Sequence, residues 1–249
     1  YSPDVDGNIW GFVGVEVAHT QYGFVDLTTD KEASTATSSL KRIRVELENK
    51  ASDSKTLKRD HHDCDGSFEG EFKQYLTDEV ITNTDTSGYR PNNNSHTERR
   101  NRTLKECFKA SLLMATGGIG VYNALWGPGL RHANYCVNRV PWHDGRVPYS
   151  TLTGLTHTHN PTQDKVFGQQ VFYHKPKETR SDAWDTAGGD AVWVGVSEVV
   201  TGGHRVVPIK WDPSSNMYLL GRTLDVPHVK DTGSLIFPLK MGPVLTQVP

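Results

Sequence analysis

The chain has 249 residues, 27 Lys and Arg against 29 Asp and Glu, and a formal net charge of −2. That length allows one large domain or two modest ones, and its ordinary apolar share permits a buried core. The near-neutral balance excludes a uniformly basic nucleic-acid binder, so any phosphate contact has to come from a local patch. No apolar run approaches the ~18 residues that a membrane span requires, so no membrane association is expected. Three scattered cysteines, Cys64, Cys107 and Cys136, make no disulfide framework. They fit free thiols in a reducing, intracellular setting, nuclear or cytoplasmic. The chain opens on Tyr1 with residues that read as mid-domain, so a fragment lacking an N-terminal stretch is expected.

Two short strands are predicted over 9–15 and 22–27, rich in aromatic and β-branched residues and separated by turn punctuation. A helix follows, with Ala33, Ala36, Leu40, Ile43 and Leu47 on one stripe and Lys41, Arg42, Glu46 and Glu48 facing outward. Beyond a polar linker lies the charged block Lys58 to Gly66, in which Asp63 stands where a short strand would end. A short helix over 72–76 and a Thr/Gly/Pro/Asn-rich loop over 84–95 come next. From Glu98 to Ala115 a longer helix is predicted, with Leu104, Phe108, Leu112 and Ala115 on one face. Arg99, Arg102, Lys105 and Lys109 fall on the other. Residues 122–137 predict another helix, crossed by a bend at Gly127-Pro128-Gly129.

From about Lys165 the texture changes to short strands at 166–173, 191–196, 206–211 and 217–220, separated by turn clusters. Such a run suggests a small β-barrel. The expected organisation is a core over 1–147, a Thr/His/Asn-rich linker over 148–164 and a β-rich region over 165–249. The fold class is α/β, a mixed sheet flanked by helices followed by a small, barrel-like β-rich region.

Two carboxylates stand out by context, Asp63 at the strand end and Glu98 at the head of the basic helix. Divalent-metal chemistry on phosphates needs hard oxygen ligands of this type close together. Residue by residue, the same pair also describes an ordinary turn aspartate and a dipole-favoured glutamate. Glu98, Arg102, Lys105 and Lys109 share one helical face, which is either a phosphate track or a solvated surface. His61, His62, Cys64 and Cys107 lack the CxxC or HxxxH spacing of a zinc site, and zinc is not expected.

Residues 88–104, Gly-Tyr-Arg-Pro-Asn-Asn-Asn-Ser-His-Thr-Glu-Arg-Arg-Asn-Arg-Thr-Leu, resemble the signature of Copia-type retrotransposon integrases. Three more segments are similar to that family in the same order. They are His61-His62-Asp63 with Phe68 to Phe72, then Trp126 with Tyr135 to Pro141, and then Phe167-Gly168 with Val192 to Gly195. The resemblance implies an RNase H-like catalytic core in which Asp63 and Glu98 are the second and third acidic residues of a DDE triad. It also implies two Mg²⁺ or Mn²⁺ ions, retroelement ends and target DNA as partners, and a homo-oligomer. The activity it implies is processing and strand transfer of DNA ends by a polynucleotidyl transferase. Ser95 and Thr97 replace the family's glycine and alanine, and two extra residues after Asp63 make Asp65 a rival for its role. The family's first Asp belongs to a strand preceding residue 9. A co-opted remnant that binds DNA without catalysis, and an RNase H-like nuclease, are the alternative expectations.

Overall fold

The computed structural model describes all residues except 1, 54–55, 86–94, 119–122, 157–164, 176–179, 181–186, 241–243 and 247–249. The fold is mixed α/β, with eleven strands and five α-helices among the described residues. The chain folds into two compact units, residues 8–104 with 134–157 and residues 1–7 with 105–133 and 158–249.

In the first unit, β1 (Trp10–Val15) pairs antiparallel with β2 (Gly23–Thr28), Val13 opposite Val25. The turn between them is built on Glu16, whose carboxylate accepts the Thr20 N–H at 2.6 Å, the Thr20 hydroxyl at 2.7 Å and the Ala18 N–H at 2.8 Å. α1 (Ala33–Lys50) buries Ala36, Leu40 and Ile43, the predicted stripe. Its outer side carries i,i+4 ion pairs, Lys50 with Glu46 at 2.6 Å and Arg44 with Glu48 at 3.0 Å. β3 (Arg59–His62) then runs parallel to β4 (Thr82–Asp85), His62 beside Asp85. Between them come a 3-10 turn at Gly66–Phe68 and α2 (Glu71–Asp78), whose Phe72 and Leu76 pack with Ala36, Leu40 and Ile81. A strand at 82–85 replaces the start of the loop expected over 84–95. Thr82 to Asp85 have no alternating apolar pattern to announce it, and 86–94 lie outside the described residues.

The exit from α2 fixes where β4 begins. Ile81 N–H returns to the Leu76 carbonyl at 2.8 Å and Val80 N–H to Thr77 at 3.1 Å, a Schellman arrangement. Val80 must then be left-handed, at φ 56°, although it is β-branched and 86% exposed. That conformation costs a non-glycine residue about 1–2 kcal/mol, with no packing to offset it here. Val80→Gly is expected to raise stability by about 1 kcal/mol. Urea unfolding checks this, and an unchanged midpoint refutes it.

α3 (Ser95–Thr116) is one 22-residue helix that starts three residues before the predicted Glu98. α4 (Trp126–Val137) contains Gly127, Pro128 and Gly129, all buried, in its first turn. The expected bend there is therefore absent, because a first-turn proline forfeits an N–H that has no intrahelical acceptor anyway. α5 (Pro148–Thr153) occupies the start of the segment read as a linker and buries Leu152 with Tyr22, Phe24 and Ile43.

In the second unit, β5 (Gln170–His174), β6 (Gly188–Val196), β7 (His204–Asp212), β8 (Met217–Leu220), β9 (Leu224–Val226), β10 (Val229–Asp231) and β11 (Val244–Thr246) form one sheet. Its order is β10-β5-β6-β7-β8-β11, with β9 on β7. The β-rich character is as expected. Barrel closure is not seen among the described residues, where no pairing joins β10 to β11. Val192, Val194, Val207 and Ile209 pack with Leu112 and Ala115 of α3 in the core of this unit. Trp193, buried with Val171 and Val206, donates its indole N–H to His204 Nδ1 at 3.2 Å. No helix of the described residues is long and apolar enough to cross a membrane.

Candidate functional site

The end of β3 is held by His62. Its ring is buried against Phe68 and Phe72, with centroids at 4.7 and 5.3 Å. Nδ1 lies 2.7 Å from Asp60 Oδ2 on the same strand, and Nε2 approaches Asp85 Oδ1 of β4 at 3.1 Å. The second contact is a close approach without hydrogen-bond alignment. Asp63 follows directly and is exposed.

Several other acidic residues of the same unit are engaged. Asp60 and Asp85 face His62, and Asp26 takes Arg42. Glu16 is consumed by its own turn; burial alone would raise its pKa, but the hydrogen bonds from Thr20, His19 and Ala18 bring it below the usual range. Asp65 pairs with Lys31 at 2.8 Å and caps the 3-10 turn, accepting from Ser67 N at 3.0 Å and Ser67 Oγ at 2.6 Å. The Lys31 ammonium first, then Ser67, holds the Asp65 carboxyl well below the ordinary carboxylate range. Asp63 and Glu98 have no hydrogen-bond or ion-pair partner among the described residues. Their oxygens are available where those of Asp65 are committed.

Glu98 lies exposed in the first turn of α3. Arg99, Arg102, Lys105 and Lys109 are exposed too, and none has an ion-pair partner among the described residues. Leu104, Leu112 and Ala115 are buried, so the helix faces lie as its periodicity predicts. His61 Nδ1 meets Thr84 Oγ1 at 2.9 Å, and the three cysteines are free thiols. Asp4, the earlier of the two acidic residues near the start of the chain, is fully buried, and Asp6 accepts the Thr223 N–H at 2.8 Å.

A second constellation escaped sequence reasoning. Arg100, 4% exposed, points inward from α3 and donates one guanidinium nitrogen to Asn134 Oδ1 and Asn138 Oδ1, both at 2.6 Å. The Asn138 amide also pairs with the backbone of Gly23, accepting its N–H at 2.9 Å and donating to its carbonyl at 2.8 Å. Asn134 donates to the same carbonyl at 2.9 Å. Asn138 thus imitates a neighbouring strand at one residue of β2. The next residue, Arg139, lies over Tyr135 and Tyr149 at 3.6 and 4.2 Å from the ring centroids. The available signal was spacing: Arg100 falls four residues before Leu104 on the inward stripe, and Asn134 and Asn138 are four apart on α4.

No family model matches this chain. A curated sequence does: over 179 residues it is 28% identical to a retrovirus-related Pol polyprotein from transposon TNT 1-94 of Nicotiana tabacum. The chain resembles a retrotransposon Pol polyprotein. The match takes in 67% of the chain and spans only 12% of the polyprotein's length. Among solved structures, the chain has a likeness to the HTLV-2 integrase catalytic core domain in complex with magnesium, trimeric form. It has 14% identity and a TM-score of 0.43 over 57% of this chain and 83% of that one. A simian T-cell lymphotropic virus intasome in complex with PP2A regulatory subunit B56 gamma gives 14% identity and 0.45 over 93% and 80%. The integrase-core resemblance seen in the sequence motifs therefore stands alongside a retroelement relative found by overall sequence similarity.

As to a metal, the donor type is suitable. Asp63 and Glu98 offer unengaged carboxylate oxygens, and Mg²⁺ is commonly bound by one or two carboxylates with substrate phosphates completing the sphere. No group of three or more His, Cys, Asp or Glu positioned to hold an ion exists among the described residues.

Proposed function

We propose that this chain is the catalytic region of a retroelement integrase that joins DNA ends with divalent-metal assistance, Asp63 and Glu98 supplying carboxylate ligands. What supports the reading is that Asp63 at the end of β3 and Glu98 at the head of α3 keep unengaged carboxylates, whereas the rival Asp65 is held by Lys31 and Ser67. Two bound Mg²⁺ or Mn²⁺ ions would supply activation of a DNA 3′-hydroxyl and stabilisation of the leaving oxygen. Asp63 holds its ligand oxygens at the end of β3, on a strand pinned to β4 by His62. Glu98 presents its own at the head of α3, and Arg99, Arg102, Lys105 and Lys109 neutralise the phosphates that pass along that helix. Retroelement ends and target DNA are the proposed partners, and paired ends call for at least two copies of the chain.

The test is strand transfer of a labelled duplex end in Mg²⁺ or Mn²⁺, by the wild type, Asp63→Asn and Glu98→Gln. Either substitution is expected to abolish joining while leaving DNA binding intact. Replacing Lys105 or Arg102 by Gln is expected to reduce the slope of log affinity against log salt by about 1 each. Joining that survives both carboxylate changes refutes the assignment. The second reading is a remnant that binds DNA without catalysis. Binding without any joining by the wild type would select it.

A further inference from the structure

Glu98 is exposed and touches nothing that would hold it, so its position depends on whatever fixes the first turn of α3. Ser95 and Thr97 are half-buried, and His96, Glu98 and Arg99 are exposed. Arg100 is the first fully buried residue of the helix and Leu104 the next. Four residues apart, they lie within roughly 40° of one another around the axis, and Glu98 lies roughly 160° from Arg100. Anchoring the inward stripe therefore sets the rotation at which Glu98 is presented on the outer one.

The anchor is polar and directional. A Leu at this position would slide over an apolar groove, whereas the Arg100 guanidinium is tied to two amides. One of those amides is paired on both edges with Gly23 of β2. A Cβ at Gly23 would run into the guanidinium, so the close approach also requires this glycine. The chain of contacts runs from the β2 backbone through Asn138 and Asn134 to Arg100, two residues from Glu98. Without it, the first helical turn, which lacks intrahelical acceptors for its N–H groups, has no fully buried side chain before Leu104 among the described residues.

We infer that Arg100, held by Asn134 and Asn138 against Gly23, is a positioning residue that fixes the carboxylate of Glu98 for divalent-metal binding. The inference rests on the proposed metal role of Glu98. Groups hydrogen-bonded directly to a metal ligand change metal affinity by about 10–100-fold when removed, and Arg100, acting through the helix backbone, is expected at the lower end.

The experiment is Mn²⁺ titration of the 249-residue chain by water-proton relaxation, for the wild type, Glu98→Gln, Arg100→Met and the double variant. Each is taken at a temperature where circular dichroism shows it folded. Arg100→Met is expected to weaken Mn²⁺ binding about tenfold, and to weaken it no further once Glu98 is already Gln, because both changes act through one carboxylate. Should Arg100→Met fail to fold, Asn134→Ala takes its place. That change removes one acceptor and leaves the Asn138–Gly23 pairing, and a several-fold loss with the same non-additivity is expected. Unchanged affinity in a folded variant overturns the positioning role alone. So does a loss that persists in full in the Glu98→Gln background, since a merely structural defect would add. A wild type that takes up no Mn²⁺, or a Glu98→Gln that binds as the wild type does, overturns the carboxylate assignment and the positioning with it.

Discussion

Asn138→Ala is expected to lower the stability of the unit that holds β1–β2 and α1 by about 3 kcal/mol, with a matching fall in the urea midpoint. The side chain is 1% exposed and its amide makes three hydrogen bonds, two to the Gly23 backbone and one from Arg100. Truncation leaves the Gly23 N–H without its acceptor at a buried edge, a desolvation penalty of about 1–3 kcal/mol. It also strips one acceptor from a buried guanidinium, and charged groups lose more than neutral ones. Asn134→Ala should cost less, about 1.5 kcal/mol, because it also strips one acceptor from the guanidinium but leaves the Gly23 N–H paired with Asn138. Equal losses for the two asparagines would show that the strand-like pairing with Gly23 contributes nothing of its own. Amide exchange at Gly23 gives a local readout: the N–H should be protected in Asn134→Ala and exchange fast in Asn138→Ala.

The contrast between that clamp and the carboxylates shows which parts of the chain were legible in advance. Periodicity exposed α1 and α3 because apolar residues recur at helical spacing over more than ten positions, and burial of Ala36, Leu40, Ile43, Leu104 and Leu112 follows it. β4 left no such trace: Thr82 to Asp85 are polar throughout and half-buried at most, held by parallel pairing to β3 rather than by an apolar face. The Gly-Pro-Gly run was misleading for the opposite reason, since residues that punctuate turns are also tolerated in a first helical turn. Within the site, Asp63 and Asp65 were indistinguishable as sequence. Only the placement of Lys31, 34 positions from Asp65, shows that one carboxylate is engaged and the other is not. The roles of Arg100 and Asn138 depend on partners 38 and 115 positions away from each, and no local pattern encodes such a separation.

Gly168→Ala is expected to cost the β-rich unit about 2–5 kcal/mol, the sum of a left-handed backbone strain and an overpacked contact. Gly168 sits at φ 80°, a region L side chains enter at a cost, and its N–H donates to the Trp193 carbonyl at 2.8 Å. Trp193 N–H returns to Gln169 at 2.8 Å, so the turn is locked to β6 on both sides. An added Cβ would collide with the Cβ of Ala115 and stand 3.2 Å from its Cα. Ala115 is fully buried on α3, and a helix backbone cannot move aside as a flexible side chain end would. The Phe167-Gly168 pair, a bare motif in the sequence, thus has a physical reason: Phe167 fills the core while the glycine lets turn and helix touch. Reciprocal substitution separates the two contributions. Ala115→Gly in the Gly168→Ala background should relieve the overlap and leave the strain, while adding the roughly 1 kcal/mol that a glycine costs inside a helix, so less than half of the lost stability returns. Ala115→Gly alone measures that helix cost; once it is subtracted, full recovery would mean that the backbone conformation at 168 carries no strain, and no recovery would mean that the contact with Ala115 is not what excludes a side chain.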